Sequence, residues 1–177
     1  LEDLLFGAIQ ISGLFSVPLV VAVARRTQKH TAYALLMGSW AALLLVLAMA
    51  PRGVWQITLV MMILAGPGMA AAHVLPWSML PDVVDADTAA NGTDRAGAFY
   101  GAMTFLEKVG TALALQSAML ALQLGGYEAR APTQSDMAID TLALVIGPLP
   151  GAVLAAACLL AWLRPPVTRA ELEAMQA

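Results

Sequence analysis

Long apolar blocks separated by short polar punctuation make up this chain. No acid or base falls between Asp3 and Arg25, Lys29 and Arg52, Arg52 and Asp82, Lys108 and Glu128, or Asp140 and Arg164. Each gap holds the roughly 20 apolar residues that a helix needs to cross a bilayer. The pattern predicts spans at about 4–24, 31–50, 54–79, 97–124 and 138–163, followed by a polar tail over 164–177. The turn Pro51-Arg52-Gly53 is short enough to make the second and third spans a helical hairpin. Gly66-Pro67-Gly68 marks a kink or a close approach inside the third span, and Pro148 and Pro150 mark kinks in the fifth. Asp82 to Arg95 reads as an acidic loop with a turn at Asn91-Gly92, and Glu128 to Asp136 as a second loop. The expected fold class is therefore all-α, a polytopic transmembrane bundle.

Composition supports the same reading. Apolar residues make up 60% of the chain and charged residues 12%, about half the charge of a soluble domain. Lys and Arg distribution carries more information than the net charge of −3. With alternating spans, one side collects Arg25, Arg26, Lys29, Arg95, Arg164 and Arg169, and the other only Arg52 and Arg130. The positive-inside rule then places the first group, the acidic loop and the C-terminus in the cytoplasm. The basic cluster has no aromatic or further basic company, so it reads as a topology signal and nucleic acid is not an expected partner. Cys158 stands alone in an apolar run and reads as a buried small hydrophobe. The chain begins at Leu1 with Glu2 and Asp3, unlike a secretory signal, and is expected to be cut from something longer.

An ionisable residue inside such a block is costly and points to function. Lys108 is the main case. Counted from Gly97, it lies about 16 Å along its helix, close to half of a hydrocarbon core of about 30 Å. Helical spacing puts Gly97, Gly101, Thr104, Thr111 and Leu115 on its face. Small and hydroxylated neighbours suit a cavity wall. The plainer alternative is a lysine neutralised by Glu107 or by a carboxylate elsewhere. Glu107 points about 100° away from Lys108 on the helix and is a poor intrahelical partner for it; its own role is either pairing or pore-lining. His73 lies at a similar depth and reads as a core histidine or as a ligand or proton-handling group. Asp82 and Asp85 sit one helical turn apart at the mouth of the third span. They are either a solvated helix end or a gate that pairs with basic residues of another bundle. Neither a metal cluster, nor a nucleophile elbow, nor a phosphate loop is visible, so no catalytic or metal residue is expected. A membrane-embedded enzyme using Glu107, Lys108 and His73, or a non-transporting scaffold, is a weaker competing class.

The run AHVLPWSMLPDVVDADTAANGTDRAGAFYGAMTFLEKVG resembles the glycoside–pentoside–hexuronide:cation symporters of the major facilitator superfamily. The melibiose carriers belong there, and sodium-dependent lysophospholipid transporters are relatives. The resemblance implies that the five spans correspond to helices eight to twelve of a twelve-helix transporter. Helix seven and an N-terminal six-helix bundle would lie outside this chain. It implies cation-coupled symport of a small solute, a sugar or glycoside, by alternating access, with a lysolipid or amphiphile as the alternative. Lys108 matches a lysine implicated in substrate or coupling-ion handling, and Thr104 a position near the sugar site. Asp82, Asp85 and Arg95 match a cytoplasmic ion-pair network. Ala86 and Ala96 stand where the family commonly has Tyr and Glu, which implies a weaker gate. His73 stands where sugar carriers can have an aromatic, which bears on substrate class. The coupling ion, Na⁺ or H⁺, would be held by carboxylates of the N-terminal half, so no cofactor ligand is named in this chain. The expected location is the bacterial inner membrane.

Overall fold

In the computed structural model, the described residues are 2–47, 49, 54–131 and 133–163. They form six α-helices and, among themselves, no strand: α1 Glu2–Arg26, α2 Lys29–Leu47, α3 Trp55–Asn91, α4 Ala96–Leu124, α5 Asp136–Ile146 and α6 Pro148–Leu163. Five segments are long and apolar enough to cross a membrane, with α5 and α6 together making the fifth. This is an integral membrane protein. The expected turn at Pro51-Arg52-Gly53 and the tail from Arg164, with Arg169, lie outside the described residues.

One element boundary differs from expectation. The segment from Asp82 is not a loop: α3 runs on to Asn91. At about 1.5 Å per residue its 37 residues reach about 55 Å, well beyond a hydrocarbon core of about 30 Å. The acidic residues therefore ride on a helical extension past the apolar part. It ends at the Asn-Gly pair, where Gly92 adopts φ 66° and donates its N–H to the Thr88 carbonyl at 2.8 Å. That left-handed stop costs glycine nothing sterically. The fifth span breaks between Ile146 and Pro148. Pro148 opens α6, where its missing N–H is no loss. Ser135 caps α5 by accepting from the Ala138 N–H at 3.2 Å.

The core forms where α1 and α2 pack on α3, and α6 on α2. Its buried residues are Val20, Ala32, Met37, Ala70, Ala71, Leu75 and Cys158. Small residues let these helices approach closely. The Gly66-Pro67-Gly68 stretch is such an approach on two sides. A Cβ at Gly66 would lie 2.2 Å from the Ser12 Oγ of α1, and one at Gly68 would lie 2.4 Å from the Trp40 Cβ of α2. Pro67 has no N–H for the carbonyl four residues earlier, that of Ile63. The Ser12 hydroxyl donates to that carbonyl at 2.5 Å. A neighbouring helix thus replaces the hydrogen bond that the proline removes, as membrane helices require.

Candidate functional site

α4 stands apart from this core. None of its residues is buried. It is fastened at its two ends. Near its C-terminus Gly125 lies so close to α5 that a Cβ there would be 2.4 Å from the Thr141 Oγ1. Near its N-terminus Tyr100 stacks on Trp77 of α3, with ring centroids 6.4 Å apart and planes at 25°. Arg95 grips Asp87 through two hydrogen bonds, Nε to Oδ2 at 2.9 Å and Nη2 to Oδ1. This fork-to-carboxylate geometry closes the α3–α4 hairpin. The Asp87 carboxylate raises the pKa of Arg95 above its ordinary value, first by the hydrogen bond and then by charge attraction.

Between those fastenings, Tyr100, Thr104 and Lys108 follow one another at four-residue spacing along α4, and His73 and Trp77 do so along α3. The Trp77–Tyr100 stack brings the two rows to the same hairpin. It does not bring Lys108, Thr104 and His73 into contact: no hydrogen bond joins them among the described residues. Thr104 donates to its own helix, to the Tyr100 carbonyl at 2.9 Å. His73 Nδ1 lies 3.0 Å from the Met69 carbonyl. A carbonyl only accepts, so Nδ1 is the donor in this contact. Lys108 and Glu107 are both exposed and form no ion pair among the described residues. A Cβ added at Gly97 or Gly101 meets nothing within 4 Å, so the small-residue face around Lys108 is uncovered. No group of three or more metal-ligating side chains occurs among the described residues.

The acidic end holds partners that the sequence did not indicate. Asp82 pairs with Lys29 of α2 at 2.5 Å, and the same ammonium donates to the Ser78 carbonyl at 2.8 Å. Arg95 pairs with Asp87, not with Asp82 or Asp85. Asp85 is exposed and lines a cleft of about 590 Å³ with Thr88, Asp94 and Tyr100. Lys29 and Asp82 are 53 positions apart, and no local pattern announces such a pair.

The sequence profile described as MFS/sugar transport protein matches residues 3–169. The chain belongs to that family. Among its major facilitator relatives is an uncharacterized symporter of Synechocystis, 42% identical over 61% of this chain and 21% of its own length. A zebrafish sodium-dependent lysophosphatidylcholine symporter is 32% identical over 83% of the chain and 28% of its own length. A mouse sphingosine-1-phosphate transporter is 34% identical over 80% and 28%. The chain thus spans between a fifth and a third of the length of these relatives.

Within this major facilitator chain, the Lys29–Asp82 pair yields a prediction. Its side chains are 41% and 24% exposed, so it contributes about 0.2–1 kcal/mol. Lys29→Gln and Asp82→Asn should each lower thermal stability slightly, and the double variant should cost no more than either alone. A double-mutant cycle on the detergent-solubilised protein measures this. Full additivity would mean that Asp82 takes its main partner elsewhere, from another bundle.

Proposed function

We propose that this chain forms part of the C-terminal bundle of a cation-coupled symporter that moves an amphiphilic solute by alternating access. The observation that carries the reading is Lys108, midway along α4, uncovered and without an ion-pair partner among the described residues. An intramembrane charge of this kind serves a substrate or ion pathway. Its face with Thr104 suits a solute site at the bilayer midplane, against an N-terminal bundle. An amphiphile is supported by the lysophosphatidylcholine and sphingosine-1-phosphate in the relatives' names. Phe105 and Leu115, both exposed and on the Lys108 side of α4, add apolar flanks to this face that agree with it. A sugar or glycoside is the second reading, favoured by the family's description. Sodium is the proposed coupling ion, with its ligands outside this chain. The end bearing Arg25, Arg26, Lys29 and Arg95 would face the cytoplasm of a bacterial inner membrane.

The test is uptake by the complete transporter in proteoliposomes. Labelled lysophosphatidylcholine should accumulate under an inward sodium gradient and not without one. Gradient-driven uptake of a glycoside with no lysophospholipid uptake would establish the second reading. Uptake of neither would remove the symport proposal for these solutes.

A further inference from the structure

Trp77 and Tyr100 occupy a distinctive level in the α3–α4 hairpin. On one side of the stack lie Thr104 and Lys108, about 6 and 12 Å farther along α4, and His73 one turn back along α3. On the other side lies the acidic cleft, to which Tyr100 contributes its wall together with Asp85, Thr88 and Asp94. Beyond the cleft, the Arg95–Asp87 fork fastens the hairpin. Both rings remain 39% exposed. The pair lies outside the buried core of the bundle, at the open edge of the hairpin. It forms a boundary between two open regions: an apolar wall carrying the uncovered lysine, and an acidic mouth.

We infer that the Trp77–Tyr100 stack is a gating floor that separates the solute-facing wall of α4 from the acidic end. This rests on the transport reading above. Aromatic pairs suit such a role because they close an apolar constriction with a modest interaction that a conformational change can release. The Asp87–Arg95 fork holds the backbones of the hairpin together while the rings part. Separation of the rings would then open a route from the Lys108 level to the cleft without unfolding either helix.

The experiment places a reporter cysteine beyond the floor, as Thr111→Cys in the complete transporter, with Cys158→Ser as background. Among the described residues Thr111 bonds only within its own helix, donating to the Glu107 carbonyl at 2.8 Å. Vesicles presenting the acidic end outward are treated with a membrane-impermeant thiol reagent. Trp77→Ala should raise the labelling rate at position 111 about three- to tenfold, the population shift that loss of an aromatic pair produces. Trp77→Phe, which keeps a ring for Tyr100, should leave the rate close to that of the parent. Should Trp77→Ala prove too unstable to isolate, Tyr100→Leu carries the same comparison. An unchanged rate in the alanine or leucine variant overturns the floor. So does an equal rise in Trp55→Ala, at the other end of α3. Sodium-driven uptake is scored separately. Its absence in the parent counts against the symport reading and leaves the labelling contrast standing.

Discussion

Lys108→Met in the complete transporter is expected to abolish cation-driven accumulation while leaving the yield of folded protein unchanged. The two halves of that expectation have separate grounds. Folding should survive because α4 buries none of its residues in this bundle, and Lys108 has no ion-pair partner among the described residues to strand. Met fills similar volume without the charge. Transport should fail because a charge at mid-span needs a carboxylate, a solute oxygen or water beside it. An ammonium that exchanges such partners during the cycle couples ion binding to solute binding. A hydrogen bond to a charged group is worth about 1.5–3 kcal/mol, so coupled uptake should fall about ten- to a hundredfold. Lys108→Arg should restore little, since a planar guanidinium replaces a compact ammonium. Glu107→Gln should have a much smaller effect, because residue 107 points about 100° away from this face. Vesicle uptake, with detergent-solubilised yield as the control, measures all three. Near-normal accumulation by the Met variant would make Lys108 a structural lysine. Loss of yield along with uptake would point to a buried pair with the other bundle, whose breaking strands a charge.

The spans were legible because one physical rule, apolar length against bilayer thickness, governs them. The helix ends were less so. Nothing in Asp82 to Asn91 declares whether it leaves the membrane as loop or helix, since alanines and aspartates are compatible with both. In that stretch Asn91-Gly92, where a left-handed stop is required, marked the boundary, while the ends expected at 124 and 163 coincide with those of α4 and α6. Lys108 was visible from its isolation in an apolar block, and Gly66-Pro67-Gly68 from its composition. The contacts that organise the acidic end were not visible. Asp82 meets Lys29 only once α2 packs on α3, and Asp87 meets Arg95 only because α3 stays helical to Asn91 before the chain turns back. Trp77 reads from the sequence as an interfacial aromatic. Its stacking on Tyr100 depends on the register of two antiparallel helices, which periodicity does not fix.

Gly66→Ala is expected to destabilise this bundle more than any other alanine substitution at a described glycine. An added Cβ would sit 2.2 Å from the Ser12 Oγ and 2.7 Å from the Ser12 carbonyl carbon and Cβ. The Ser12 backbone cannot swing aside as a side-chain tip can, so α1 must move off α3. That overpacking costs about 1–3 kcal/mol. The same displacement breaks the bond from Ser12 to the Ile63 carbonyl. Pro67 cannot replace it, and a carbonyl left without a donor within a membrane-spanning helix costs about 1–3 kcal/mol more. Ser12→Ala removes only the second term and should cost correspondingly less. Gly7→Ala, where a Cβ meets nothing within 4 Å, serves as the neutral reference. Combining Gly66→Ala with Ser12→Gly removes the hydroxyl and Cβ from the clash but leaves the carbonyl carbon 2.7 Å away. The rescue should therefore be partial. Thermal unfolding of the solubilised variants ranks them: Gly7→Ala highest, then Ser12→Ala, then the double variant, with Gly66→Ala lowest. If Gly66→Ala unfolds with Gly7→Ala, α1 and α3 do not approach at this glycine. If the double variant matches Gly7→Ala, the serine side chain alone sets the spacing, and the Ile63 carbonyl finds another donor.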